Sequence, residues 1–139
     1  MQARKKVILD TDIGTDCDDA LALALCLVSP EIDLLGVSCV YGDVSVRARI
    51  AHKLIRLSGR GDIPVYEGMS RTIMNTKKVY WAGHEGRDIV DENSEYVPNA
   101  KNAVDFIIDT IMDNDKEITV IAIGPLTNIA VAMLKEPRI

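Results

Sequence analysis

An α/β fold, a mostly parallel sheet flanked by helices, is the class this sequence predicts, and three observations predict it. Short runs rich in Val, Ile and Leu alternate with longer segments of helical spacing. The runs end in Asp or Gly, where a strand gives way to a turn. Strands that alternate with helices are joined by right-handed crossovers, which pair the strands in parallel and place helices on both faces.

The elements follow in order. Residues 7–9, reaching back to Lys5, form a buried strand that ends at Asp10, and Asp18-Asp19 followed by ALALALCLV opens a helix that Ser29-Pro30 closes. Residues 32–41, IDLLGVSCVY, give a second strand stopping at Gly42-Asp43. In VSVRARIAHKLIRLSG, Val46, Ile50, Ala51, Leu54, Ile55 and Leu57 fall at helical spacing, with basic residues on the other face and Gly59 as the stop. Ile63 to Tyr66 make a short third strand. Residues 67–98 have no clear period, and so long an irregular stretch is expected to serve as a lid or binding loop. Val104, Ile107, Ile108, Ile111 and Met112 mark a helix over 100–113; ITVIAIG at 118–124 is a buried strand, and a last helix runs from Leu126 to about Lys135.

Composition narrows the functional classes. Net charge is −5 and the basic residues are scattered, so nothing in the chain tracks a phosphate backbone and nucleic acid is not an expected partner. Cys17, Cys26 and Cys39 are odd in number and lack C-x-x-C spacing; they read as reduced thiols. No apolar run approaches the roughly 20 residues that span a bilayer. The expected location is cytoplasmic, away from any membrane.

The informative stretch is VILDTDIGTDCDDALA, in which Asp10, Asp12, Asp16, Asp18 and Asp19 gather without a Lys or Arg. Two like charges about 4 Å apart repel by about 1 kcal/mol in water and by more inside a protein. Acids favour a helix N-terminus, yet a helix start needs one or two of them, not five beside a buried strand. An EF-hand is excluded, because Gly14, Thr15 and Leu21 stand where Asp or Asn, Gly and Glu are required. Oxygen donors without a His or Cys ligand pattern favour calcium or magnesium over zinc. The sheet reading places Asp10 and Asp12, Gly42 and Asp43, and Ile123 and Gly124 at carboxyl ends of strands, where α/β folds bind ligands.

DTDIGTDCDDALALAL resembles the N-terminal signature of the inosine-uridine preferring nucleoside hydrolases, commonly DTDPGIDDALAL, and VYGD, GHEG, AVDFIID and IGPLTNIAVAMLKEPRI follow in the family's order. The resemblance covers nearly the whole chain. It implies a Rossmann-like nucleoside hydrolase fold and calcium-dependent cleavage of the bond between ribose and base, with a nucleoside as partner, nucleoside salvage as setting and a homo-oligomer as assembly. Transferred by position, Asp12 is the catalytic base and a calcium ligand, Asp19 and the Ile123 carbonyl are further ligands, and Asp18 holds a ribose hydroxyl. Asp10 supports the loop, Asp43 takes the ribose-contacting position and His84 lies at the base pocket. The chemistry agrees: a ribosyl transition state is oxocarbenium-like, so carboxylates stabilise it and a divalent ion can activate water.

The pattern also departs from the family. The acidic loop is two residues longer than the common motif, which either adds Asp16 as a further supporting acid or shifts which acid plays which role. Asp43 stands where many members have Asn. Family members are longer, with their last calcium carboxylate and a histidine near the leaving base beyond this point, so residues 1–139 are expected to be the truncated N-terminal part of a single domain. Alternatives remain open: a non-catalytic half-domain that folds or oligomerises without turnover, and a haloacid-dehalogenase-type phosphatase using Asp10 and Asp12 in VILDTD. Tyr80 and Trp81 read as packing residues of the loop, His52 as structural, and Asn128 as a hydrogen-bonding residue at a helix start.

Overall fold

The computed structural model of the chain describes residues 3–90, 96–114 and 117–139. The elements alternate as expected: β1 (Lys5–Thr11), α1 (Asp18–Val28), β2 (Ile32–Cys39), α2 (Val44–Leu57), β3 (Val65–Glu67), α3 (Ala103–Asp113), β4 (Ile118–Ala122) and α4 (Thr127–Lys135). All strand pairings are parallel, in the order β3-β2-β1-β4. β1 is therefore central, with its carboxyl end between those of β2 and β4. The third strand is shifted from the expected Ile63–Tyr66, because Ile63 is spent on the turn, its N–H bonding to the Arg60 carbonyl at 3.1 Å. The described part of the 67–98 stretch after β3 holds no helix or strand.

Alternation along β1 sends successive side chains to opposite faces. Val7 and Leu9 join Leu23, Val37, Ala51 and Ile55 in one core cluster, while Ile8 joins Val104, Phe106, Ile107 and Ala132 in the other. The first cluster is packed by α1 and α2, the second by α3 and α4. Asn102 caps α3 by accepting a bond from Val104 N–H at 2.9 Å, and Asp43 caps α2 by accepting from Ser45 and Val46 N–H, both at 3.1 Å. These caps satisfy donors that a helix leaves unpaired.

One face and one edge are left open. On α1, Leu21, Leu25 and Val28 are 67%, 63% and 73% exposed, a stripe at helical spacing. At the edge of the sheet, β4 pairs among the described residues only with β1, and its apolar residues are half-buried where those of β1 are fully buried. Among the described residues all three cysteines are free; Cys26 and Cys39 are buried and Cys17 is exposed. No described helix is long and apolar enough to cross a membrane.

The α3 face depends on one close fit. Phe106 stacks on Tyr66 with ring centroids 4.0 Å apart, and Gly36 of β2 lies so near that an added Cβ would meet the Phe106 ring at 2.6 Å. Phe106→Ala is expected to cost about 3–5 kcal/mol, read as a lowered midpoint in urea unfolding, because the flat site cannot collapse onto the void.

Candidate active site

Six residues, Asp12 to Cys17, carry the chain from β1 to α1, and the carboxylates take distinct positions around that loop. Asp10, the most buried, is 0% exposed. Its Oδ1 accepts from the Ser38 hydroxyl at 2.5 Å and from Asn128 Nδ2 at 2.8 Å, while Oδ2 is buried without a partner. Burial pushes its pKa up to about 6; the two hydrogen bonds oppose that rise and the charge of Asp12 adds to it.

Asp12 is half-buried and Asp19 buried, and burial raises the pKa of both. Neighbouring negative charge raises them further, from Asp18 and Asp16 at Asp12 and from Asp12 and Asp18 at Asp19; Arg47 opposes it at Asp12 and the Thr11 hydroxyl, bonded to Asp19 Oδ1, at Asp19. The end of β4 closes on the same place. Ile123 N–H donates to the Asp10 carbonyl at 2.9 Å, and at Gly124 a Cβ would sit 3.0 Å from Asp12 Oδ1 and 2.9 Å from Asp12 N. Only glycine admits that approach.

Asp16 and Asp18 are exposed. Asp43 spends Oδ1 on the cap of α2 and lines a cavity of about 620 Å³ with Ser45, Arg71 and Trp81. None of Asp12, Asp18 and Asp19 lines that cavity. Exposed His84 places Nε2 2.8 Å from the Thr15 carbonyl, which brings the GHEG segment onto the acidic loop.

The chemistry of this donor set bears on a divalent ion. The donors are hard oxygens, burial and, to a lesser degree, neighbouring acids disfavour their charged forms, and Gly124 leaves the Asp12 carboxylate open on one side. They fit calcium or magnesium in kind, but calcium takes 6–8 oxygens. Among the described residues no three His, Cys, Asp or Glu side chains converge as a metal cluster.

The description "Inosine-uridine preferring nucleoside hydrolase" matches the chain over residues 7–139. The chain belongs to this family. It is 38% identical to Probable uridine nucleosidase 2 of Arabidopsis thaliana, with 97% of this chain aligned to 44% of that protein. It is also 38% identical to the pyrimidine-specific ribonucleoside hydrolase RihB of Escherichia coli, with 98% of this chain aligned to 44% of the relative. Among solved structures, a purine-preferring ribonucleoside hydrolase from Gardnerella vaginalis superposes with a TM-score of 0.82 at 35% identity, covering 96% of this chain and 45% of that one. The chain thus spans less than half the length of these nucleoside hydrolases. Their names differ in the base preferred.

Three further residues organise the site, and sequence reasoning missed or misplaced each. Arg47 belongs to a helix whose basic residues were expected to face solvent, yet it is 1% exposed and bonds the main chain of the acidic loop. Asn128 lies in the first turn of α4 but does not cap it; it reaches Asp10, the Cys39 carbonyl at 3.2 Å and Met69 N–H at 2.8 Å. Glu85, quoted only as part of GHEG, is buried, and its carboxylate accepts from the Thr15 hydroxyl and from Ala82 and Gly83 N–H. Only the motif in which Glu85 sits could have pointed to it.

Glu85 carries a pH dependence. Burial alone would raise its pKa, but the N–H groups of Ala82, Glu85 and Gly83 and the Thr15 hydroxyl outweigh it and bring the value down to about 2. A pKa lower in the folded state gives stability that is fully present above the unfolded value, about 4.3 for Glu, and is lost as pH falls through 2. Urea midpoints of the natural chain and Glu85→Gln are therefore expected to differ at pH 7 and to converge as pH falls from 4.5 towards 2.

Proposed function

We propose that this chain supplies the calcium-side half of a nucleoside hydrolase, which cleaves the N-glycosidic bond of ribonucleosides to free base and ribose. What carries the reading is the meeting of Asp12, Asp19 and the end of β4 at the carboxyl end of the central strand, in a chain of this family. The phosphatase reading loses its support, since the family covers the D-x-D segment and everything after it.

Asp12, Asp19 and the Ile123 carbonyl would hold calcium, whose chemistry when bound is to polarise a water and the ribose hydroxyls. Asp12 takes the proton from the attacking water, a task its half-buried, raised-pKa carboxylate suits better than a fully solvated one. Asp18, exposed at the first turn of α1, accepts from a ribose hydroxyl. Positive charge growing on the ribose ring is stabilised by this set of carboxylates, with Asp16 contributing from the loop. Asp10 is a support: tied to Ser38 and Asn128, it fixes the strand end from which Asp12 projects. Asp43 and His84 border the substrate from the cavity side and the loop side. In its setting the protein acts in the cytoplasm, in nucleoside salvage, as a homo-oligomer.

A second reading has its own observation. The incomplete donor cluster and the open β4 edge favour a chain that, alone, binds without turning over. Ribose release from a mixed nucleoside pool, with calcium or with a chelator, separates the two when the protein is confirmed at 15.3 kDa. Calcium-dependent release without phosphate supports the hydrolase; calcium binding without release supports the second reading. In the active protein Asp12→Asn is expected to lower kcat by about 10²–10⁴ with little change in nucleoside binding, the range a general base supplies. An unaltered rate would remove Asp12 from that role.

A further inference from the structure

The loop between Asp12 and Asp18 is held by a cation from another element. The Arg47 Nη1 donates to the Asp12 carbonyl and, at 2.8 Å, to that of Ile13; Nη2 donates to the Thr15 hydroxyl at 3.3 Å, and Nε to the Tyr41 carbonyl at 2.6 Å. Its guanidinium carbon lies 5.0 Å from the centroid of the Trp81 ring, which rests on Gly42. One planar fork therefore touches the acidic loop, the turn after β2 and the loop that carries His84 and Glu85. Thr15 adds a second tie, through its hydroxyl to Glu85 at 3.0 Å and its carbonyl to His84.

The choice of acceptors matters. These donors go to main-chain carbonyls and a hydroxyl, so the charge of Arg47 offsets the acidic loop while the Asp12 and Asp19 carboxylate oxygens stay available to another cation. A lysine carries the same charge as a point, without donors in several fixed directions. Tyr41, which accepts from Nε, has a positive φ of 69°, a conformation that a residue with a side chain keeps only where its surroundings hold it.

We infer that Arg47 is a positioning residue, which aims Asp12 by holding its peptide and passes the state of the acidic loop to the Trp81 segment. The part of this inference that concerns calcium rests on the reading proposed above; the mechanical coupling does not. It gives α2 a task in the site that neither the acidic motif nor the GHEG segment contains.

The test uses Arg47→Lys, which keeps the charge, and Arg47→Met, which keeps much of the apolar stem. Trp81 is the only tryptophan, so tryptophan emission comes from this one side chain. In the metal-free chain, hydrogen exchange at the amides of residues 13–15 and 81–85 is expected to quicken together in Arg47→Lys while β1 and β2 stay protected. Exchange unchanged in the acidic loop overturns the inference, and that arm stands whether or not the chain binds calcium. Where calcium binds, the natural chain is expected to shift its Trp81 emission on titration, and Arg47→Lys to bind about 10- to 100-fold more weakly, as loss of a ligand-orienting partner does, with the shift abolished. Equal affinity and an equal shift in Arg47→Lys overturn it. If Arg47→Met does not fold, Arg47→Lys decides; if the natural chain binds no calcium, the calcium reading falls and the exchange result alone decides the inference.

Discussion

Negative charge buried at the end of a central strand is the constraint to which the rest of the structure answers. An Asp that is wholly removed from water, as Asp10 is, costs several kcal/mol unless its oxygens are matched by donors. Ser38 from β2 and Asn128 from α4 supply donors to one of those oxygens, Oδ1, and each is itself fully buried. Serving that one oxygen ties β2, β1 and α4 together at a common level. The same level is where Gly124 closes on Asp12.

Around that point the molecule divides the work between rigid and irregular parts. Strands and helices bring the main-chain ends together, and loops bring the side chains that would act. The loops are kept in place by single polar residues from a distance: Arg47 from α2 for the acidic loop, Glu85 for the turn at Ala82 and Gly83. Such an arrangement tolerates change in loop length, because the anchors bind peptide groups that every residue carries. A loop two residues longer than the common family motif can be accommodated in this way.

Much of this was legible in the residues. β1, α1, α2, α3 and α4 fall within a few residues of their expected places, since apolar spacing and the stops at Ser29-Pro30 and Gly59 are strong local signals. The carboxyl ends of β1 and β4 meet as the parallel order requires. What spacing could not give was the fate of polar residues within those elements. Arg47 sits in an amphipathic pattern that marks it as solvent-facing, and tertiary contacts override the pattern. Asn128 carries a helix-start signal, but its partners are far away in sequence. Glu85 is in a stretch without any period, where burial of an acid leaves no trace in the sequence.

The sheet order also bears on how the chain comes to be made. β1 precedes both of its partners in the chain and lies between them, with Lys6 paired to Asp33 on one side and to Ile118 on the other. As the chain leaves the ribosome, β1 and β2 can pair early, whereas the second side of β1 must wait until β4 emerges. Closing so long a segment is slow, because the entropy of closure is spent before the contact forms. During that interval the Val7, Ile8 and Leu9 strand has one open flank, which only β4 covers among the described strands.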